Sequence, residues 1–343
     1  MTLKQFYMRF FTLFLFFLIS NFTIAQTKYI LGLSKTDHNM VVLDYNSLEI
    51  ITKIPVGEDP HEVVTSDDGS LAYVANTVNG TAHEINLIDL KNLKPLKNID
   101  TRPLYGSHGL VYLKDKLWFT AQGSKAVGRY DVKDDKLEWS MGTGQNITHL
   151  LYVTSDAEHF YTTNVDSGTV SVFDHVLLQP TVPPTGVLPP NAKPRWDWVQ
   201  TLINVGKGAE GFDVSQDGKE LWTARPDGHI LIVDLKKREI KNDIDAKVLG
   251  LHRLKFTPDG KTVCIVSVKT GELLFYDAQT RREVKKINAG QGAAMYMDKE
   301  KNRLFMSCTP NNSVSIIDLN KMEVVKKLDI GGRPDGITMA VVQ

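Results

Sequence analysis

The sequence is poor in cysteine and has no excess of charge of either sign. Its 343 residues include two cysteines, Cys264 and Cys308, and 40 basic against 40 acidic side chains. Two thiols permit at most one disulfide, so the chain is not a cystine-stapled scaffold and must fold around an apolar core. Both cysteines lie in strand-like segments of neighbouring repeats. Small buried thiols are the expectation there, and a single bridge is the alternative. Balanced charge excludes the basic footprint of a nucleic-acid binder and a polybasic membrane patch. Familiar catalytic signatures are also missing. There is no Gly-x-Ser-x-Gly elbow, no His-Glu-x-x-His pair, no Cys-x-x-Cys-His haem attachment and no phosphate-cradling glycine loop.

Long apolar runs are confined to one place. Residues 1–25 carry Lys4 and Arg9, then an apolar stretch from Phe10 to Ile19, then Thr23-Ile24-Ala25 with small residues suited to cleavage. This pattern predicts a secretory signal peptide cut before Gln26, with an uncleaved anchor as the alternative. The apolar core is short for a membrane span, and no later stretch is apolar enough for one. The expected organisation is therefore a leader over 1–25 and one domain over 26–343, placing the protein outside the cytoplasm, secreted or periplasmic.

The domain is repetitive. Seven strand-like segments end in aspartate, at Asp44, Asp89, Asp131, Asp174, Asp234, Asp277 and Asp318, with spacings of 45, 42, 43, 60, 43 and 41. Hairpin turns of the Asp-Gly type recur at Asp68-Gly69, Asp217-Gly218 and Asp259-Gly260. Each repeat has room for four short strands. In the fifth these are Phe212–Ser215, Leu221–Ala224, Ile230–Val233 and Glu239–Asn242. A lone four-stranded sheet cannot bury both faces, whereas radial packing of seven buries all of them. The expected fold is all-β, a seven-bladed β-propeller. Its first repeat begins at strand two, near Tyr29–Gly32, and the chain finishes with a spare strand one, Gly336–Val341. Pairing of these two segments would close the ring.

Tyr73-Val74-Ala75-Asn76 and Tyr161-Thr162-Thr163-Asn164, each followed by a strand ending in Asp, resemble the YVTN-type propeller repeat. The Ile54–Gly57 run and the Asp-Gly turns strengthen the resemblance, which covers nearly all of residues 26–343. Arg225 and Thr309 stand where the family favours Asn. The resemblance implies a YVTN or YncE-like seven-bladed propeller. It implies a fold more firmly than an activity.

Aligned at the start of strand one, the repeats present His61, His108, His149, Glu210, His252, Ala294 and Asp335, at spacings of 47, 41, 61, 42, 42 and 41. Four of the nine histidines thus share one register position. Strand one is innermost in a propeller, so these side chains should converge at the mouth of the axial channel. His61, His108, His149, His252 and Glu210 would hold a divalent transition metal such as zinc, iron or copper. Ala294 would leave a sector open for water or substrate. The alternative is a polar, water-filled mouth.

Glu210 or Asp335 would act as general base or as a partner orienting an imidazole. Arg225, on the turn between strands two and three, would bind a substrate anion, or else pair with Glu210 or Asp227 and shape the rim. Asn76, Gln122, Lys125, Asn164 and Lys269 fall on equivalent turns, and Tyr105 and Ser107 precede His108. The fourth repeat carries about 20 extra residues, 175–198, rich in proline. They are expected to run as an extended loop, either decorative or a docking arm anchored by Trp196 and Trp198. Three functions fit: a metal-dependent hydrolase, lyase or oxygenase acting on a small molecule, a module binding a cell-envelope protein or glycan, and a metal carrier.

Overall fold

The computed structural model describes residues 26–188 and 190–343, so the expected leader over 1–25 lies outside the described residues, as does Pro189. The described chain forms seven antiparallel sheets joined in sequence, each a blade of the expected propeller. Among the described residues no helix is long and apolar enough to cross a membrane.

Strands two and three of each blade are buried on both sides, and period-two alternation divides their side chains between the two neighbouring seams. In blade 1, Leu31, Leu33, Met40 and Val42 pack toward blade 2. The intervening Ile30, Val41 and Leu43 pack toward blade 7. One apolar cluster fills each of the seven seams. The seam between blades 6 and 7 takes both cysteines, which are buried free thiols.

The recurrent aspartate at the end of strand three caps the turn that follows. Asp44 accepts from the backbone N–H groups of Asn46 and Ser47 at 2.9 and 2.7 Å, and Asp234 from Lys236 and Lys237 at 3.0 and 2.9 Å. Asp89, Asp131, Asp277 and Asp318 do the same. These are Asx-type turns, which fold the chain back without a glycine.

Asp174 is the exception because its blade does not turn there. Strand three runs on as Thr169–Leu178 and pairs, residue for residue, with Arg195–Asn204. The carboxylate instead bridges His159, at 2.6 Å, and Arg238 of blade 5, at 2.7 and 2.8 Å. The insertion is thus ladder-bonded at its base, over 175–178 and 195–198, while 179–188 and 190–194 carry no strand. Trp198 packs on Phe160, with ring centroids 4.7 Å apart. Trp196 is 60% exposed and lies against His175. The arm extends from the face on which strand one ends.

Ring closure takes the expected form. Pro334–Val342 is the innermost strand of blade 1 and pairs antiparallel with Thr27–Ser34, Thr27 opposite Val342 and Gly32 opposite Ile337. The innermost strands also approach one another closely. A Cβ on Gly109, Gly211 or Gly336 would lie 2.4–2.6 Å from the carbonyl oxygen of His149, His252 or His61 on the adjacent blade. Glycine is therefore required immediately after three of the ring positions.

Removal of residues 334–343 would strip blade 1 of its inner strand and expose the seams on either side. The truncated protein is expected to lose about 10 °C or more in thermal midpoint and to broaden its transition. Circular-dichroism melting checks this, and an unchanged midpoint would mean that closure carries little stability.

Candidate functional site

Six of the seven aligned positions bring polar side chains to one mouth of the channel. Each sits at the start of an innermost strand or just before it, as with Glu210, which precedes Phe212–Val214. Hydroxyls of strand two pin the backbone: Thr120 donates to the His149 carbonyl at 2.5 Å and Thr163 to the Glu210 carbonyl at 2.7 Å. The imidazoles of blades 2, 3 and 4 stand side by side, with centroids 4.5 Å apart for His61 and His108 and 3.7 Å apart for His108 and His149.

Glu210 lies between imidazoles from the two flanking blades. One oxygen is 3.5 Å from His149 Nε2 and the other 3.1 Å from His252 Nδ1. His61 is drawn into a separate network. Its Nε2 lies 2.8 Å from Lys35 Nζ and 3.1 Å from Asp59, and its Nδ1 lies 3.4 Å from Asp335. Lys35 also bridges Asp59 and Asp335, at 3.1 and 3.3 Å. The ring therefore splits into a cluster of His149, Glu210 and His252, with His108 beside it, and a cluster of His61, Asp59, Asp335 and Lys35. Among the described residues no group of three or more His, Cys, Asp or Glu side chains is arranged to hold a metal ion as the side chains stand.

Beneath the ring, Arg253 of blade 6 reaches across to blade 2, where its guanidinium donates to Glu62 at 2.8 Å. Its Nε stands 3.7 Å from Glu210, too far for a hydrogen bond, and is buried without a partner. This cross-axis ion pair forms the floor of a cup whose walls are the ring side chains. Alignment missed Glu62 and Arg253, although a signal existed. They occupy the position just after the ring residue, where the other blades carry Gly109, Leu150, Gly211, Met295 and Gly336. Lys35 and Asp59 come from connecting loops and left no register signal.

The other sequence candidates are engaged elsewhere. Arg225 forms a paired contact with Asp227, at 3.0 and 2.8 Å, and shapes the rim without reaching Glu210. Asn164, the motif asparagine, accepts from Thr148 at 3.0 Å and donates to Thr169 and Ser171 at 3.0 and 2.9 Å, binding three strands together inside the blade. Ser107 is buried between blades, and Tyr105 is exposed against His83.

Burial sets the charge states. His108 is 1% exposed and His149 8%. Loss of solvent holds the His108 imidazole well below its ordinary range, reinforced by the neighbouring His149 and His61. The same loss of solvent lowers His149 to about 3 despite the opposing pull of Glu210. Both Nδ1 atoms are buried without a hydrogen-bond partner. Burial alone would raise the Glu210 carboxyl, but His252, His149 and Arg253 outweigh it and hold it below the usual range. A hydrogen bond from His61 and the charge of Lys35 hold Asp59 low despite its partial burial.

The depressed histidines make stability pH-dependent. The unfolded chain takes up protons near pH 6.5 while folded His108 and His149 do not. Their contribution is therefore complete above about pH 6.5 and is lost as the pH falls below it, by up to about 1.4 kcal/mol per pH unit for each histidine. Glu210 works in the same direction only below the ordinary carboxylate range, outside this window. Urea unfolding at pH 7.5 and 5.5 should show the drop, and His149→Asn should roughly halve its size. Equal stability at the two pH values would mean that the buried imidazoles take up protons as readily as in the unfolded chain.

No family model matches the chain. The curated protein YncE of Salmonella typhimurium strain LT2, described as uncharacterized, is 24% identical over 144 residues, 41% of this chain and 41% of that protein. YncE of Salmonella typhi matches to the same extent. The match thus spans about two fifths of the length of these relatives. Among solved structures, a functionally unknown protein from Desulfotomaculum acetoxidans DSM 771 superposes with a TM-score of 0.71 at 13% identity, covering 92% of this chain and 99% of that one. The dihydro-heme d1 dehydrogenase NirN, in complex with DHE, superposes with a TM-score of 0.61 at 16% identity, covering 88% of this chain and 63% of that one. The chain is a seven-bladed β-propeller that is similar to YncE over about two fifths of its length.

Proposed function

We propose that the chain is an exported propeller whose cup binds one divalent transition metal through His149, Glu210 and His252, and uses it on a small molecule. The observation that carries this reading is the position of Glu210, with each carboxylate oxygen facing an imidazole nitrogen of a flanking blade. Bonds of about 2.0–2.1 Å in tetrahedral geometry put neighbouring donor atoms about 3.3 Å apart. The separations of 3.5 and 3.1 Å bracket that distance. Small side-chain rotations would close the set around an ion, and neighbouring His108 would supply a third imidazole as fourth ligand.

Charge supports a cation. Asp59, Glu62, Glu210 and Asp335 face two fixed positive groups, Lys35 and Arg253, so with neutral imidazoles the cup carries an excess of two negative charges. A divalent ion would balance it. Two imidazoles with one carboxylate suit zinc or iron(II). Small Ala294, beside His252 in the ring, leaves room for a substrate oxygen, which a bound metal would polarise as a Lewis acid. Asp335, tied to Lys35 and His61, would position the ring opposite rather than accept a proton. Arg225, committed to Asp227, would stay outside the chemistry.

A second reading, a non-catalytic module for a cell-envelope partner, is favoured by the hairpin arm. Trp196, Val182 and Val187 on it are 60%, 62% and 71% exposed.

Metal analysis separates the two. Protein purified without chelator, or reconstituted with zinc or iron(II) at pH 7.5, should carry about one equivalent. His149→Ala and His252→Ala should each lower affinity at least about tenfold, while Arg225→Ala leaves it unchanged. Absence of stoichiometric metal after reconstitution with either ion would rule out the metal site and leave the partner-binding reading.

A further inference from the structure

The outer rim of blade 4 differs from that of every other blade. Its outermost strand, Arg195–Asn204, has 10 residues, and those of the other blades have 7 or fewer. Among the described residues no strand pairs with its outer edge. An open edge is a template for another strand, and native sheets blunt it with charge, lysine above all. The other six outermost strands follow that rule through Lys53, Lys94, Lys136, Lys241, Lys285 and Lys326. Arg195–Asn204 has no lysine and no proline, and beyond Asp197 it is uncharged.

The ladder fixes which backbone groups lie on that edge. The His175 N–H donates back to Glu158, at 2.9 Å, and so away from the arm strand. His175 and the opposite Trp198 are therefore a non-hydrogen-bonded pair. Alternation then turns the N–H and C=O groups of Trp196, Trp198, Gln200 and Leu202 outward. Of these, the Trp198 N–H is capped by the carboxylate of Asp197, at 2.9 Å.

The exposed apolar side chains of the strand are placed symmetrically. Trp196, Val199 and Leu202 are 60%, 40% and 47% exposed, with Val199 at the midpoint. Two copies of the strand laid antiparallel about a two-fold axis at Val199 would set Trp196 of each opposite Leu202 of the other. Val199 would meet its own counterpart. Trp196 with Leu202 and Trp198 with Gln200 would then be hydrogen-bonded pairs. Val199 with Val199 and Asp197 with Thr201 would be non-hydrogen-bonded pairs, in which side chains come closest. The Thr201 hydroxyl would take over the Asp197 carboxylate as the Trp198 N–H enters the new ladder. Any extended chain would fit the backbone, but matching side chains about a midpoint is the property of an isologous contact, which closes on two subunits.

We propose that blade 4 pairs with blade 4 of a second copy of this chain, edge to edge across Val199, joining two propellers into one continuous eight-stranded sheet. The contact is remote from the cup and holds whether or not the cup binds a metal. It leaves Val182 and Val187, between the two strands of the arm, free for other partners.

Light scattering coupled to size exclusion on residues 26–343, at roughly 100 µM and neutral pH, should give twice the mass of one chain. Val199→Lys and Val199→Asp each set like charges opposite one another at the axis, and each should weaken association at least about tenfold. An equimolar mixture of these two variants should regain the doubled mass, a gain that loss of fold cannot imitate. Under mild oxidation Val199→Cys should form a covalent dimer and Trp196→Cys should not, with Cys264 and Cys308 buried and out of reach. A chain that stays monomeric overturns the proposal and leaves the edge to a strand of another protein. It is overturned equally if Val199→Lys keeps the doubled mass, if the mixture of variants stays monomeric, or if Trp196→Cys cross-links as readily as Val199→Cys.

Discussion

The structure depends on how closely seven innermost strands approach a common axis. Side-chain volume sets the limit to that approach, and the chain meets it with glycine at 109, 211 and 336, where a Cβ would run into the neighbouring carbonyl. The antiparallel pairing of Thr27–Ser34 with Pro334–Val342 then locks the circle, because every blade needs a neighbour on both sides to bury its two faces. Radial packing and closure are one constraint: a gap between any two blades would expose both apolar faces of the seam.

Crowding the axis has an electrostatic consequence. Side chains brought there lose solvent, and charged ones must find partners. Arg253 finds Glu62 on the far side of the channel, and Lys35 enters from a loop to hold Asp59, Asp335 and His61 together. The imidazoles most deeply placed, His108 and His149, are kept neutral. The result is a cup with two neutral imidazoles, His108 and His149, and a carboxylate between His149 and His252. Below its floor lies a cavity whose lining mixes the Arg253–Glu62 and Lys255–Asp213 ion pairs with apolar side chains.

Much of this was legible in the repeat. The seven aspartates marked the ends of third strands, and six of them cap turns because an Asx turn needs that side chain at that place. The seventh, Asp174, kept the register but not the role, because its blade extends into a hairpin arm and the carboxylate became free to pair with His159 and Arg238. Proline content in the insertion pointed to a loop. The flanking segments, with Trp196 and Trp198 opposite Leu177 and His175, were strong enough β-formers to carry the ladder outward. The motif asparagine looked like a rim group in alignment, yet Asn164 lies inside the blade, where its amide joins three strands.

Sequence by itself determined the blade number, the closing strand and the presence of four histidines, a glutamate and an aspartate at one depth around the axis. Those follow from register, which a repeat preserves along the chain. Only the tertiary structure decided how the ring is partitioned: which imidazole faces Glu210, which is taken by Lys35 and Asp59, and that Arg253 and Glu62 seal the channel beneath. Those outcomes depend on contacts between blades as much as 191 residues apart in the chain. Register puts groups at a common height, but the pairing of charges across the axis is set by distance and solvent exclusion, which exist only once the circle has closed.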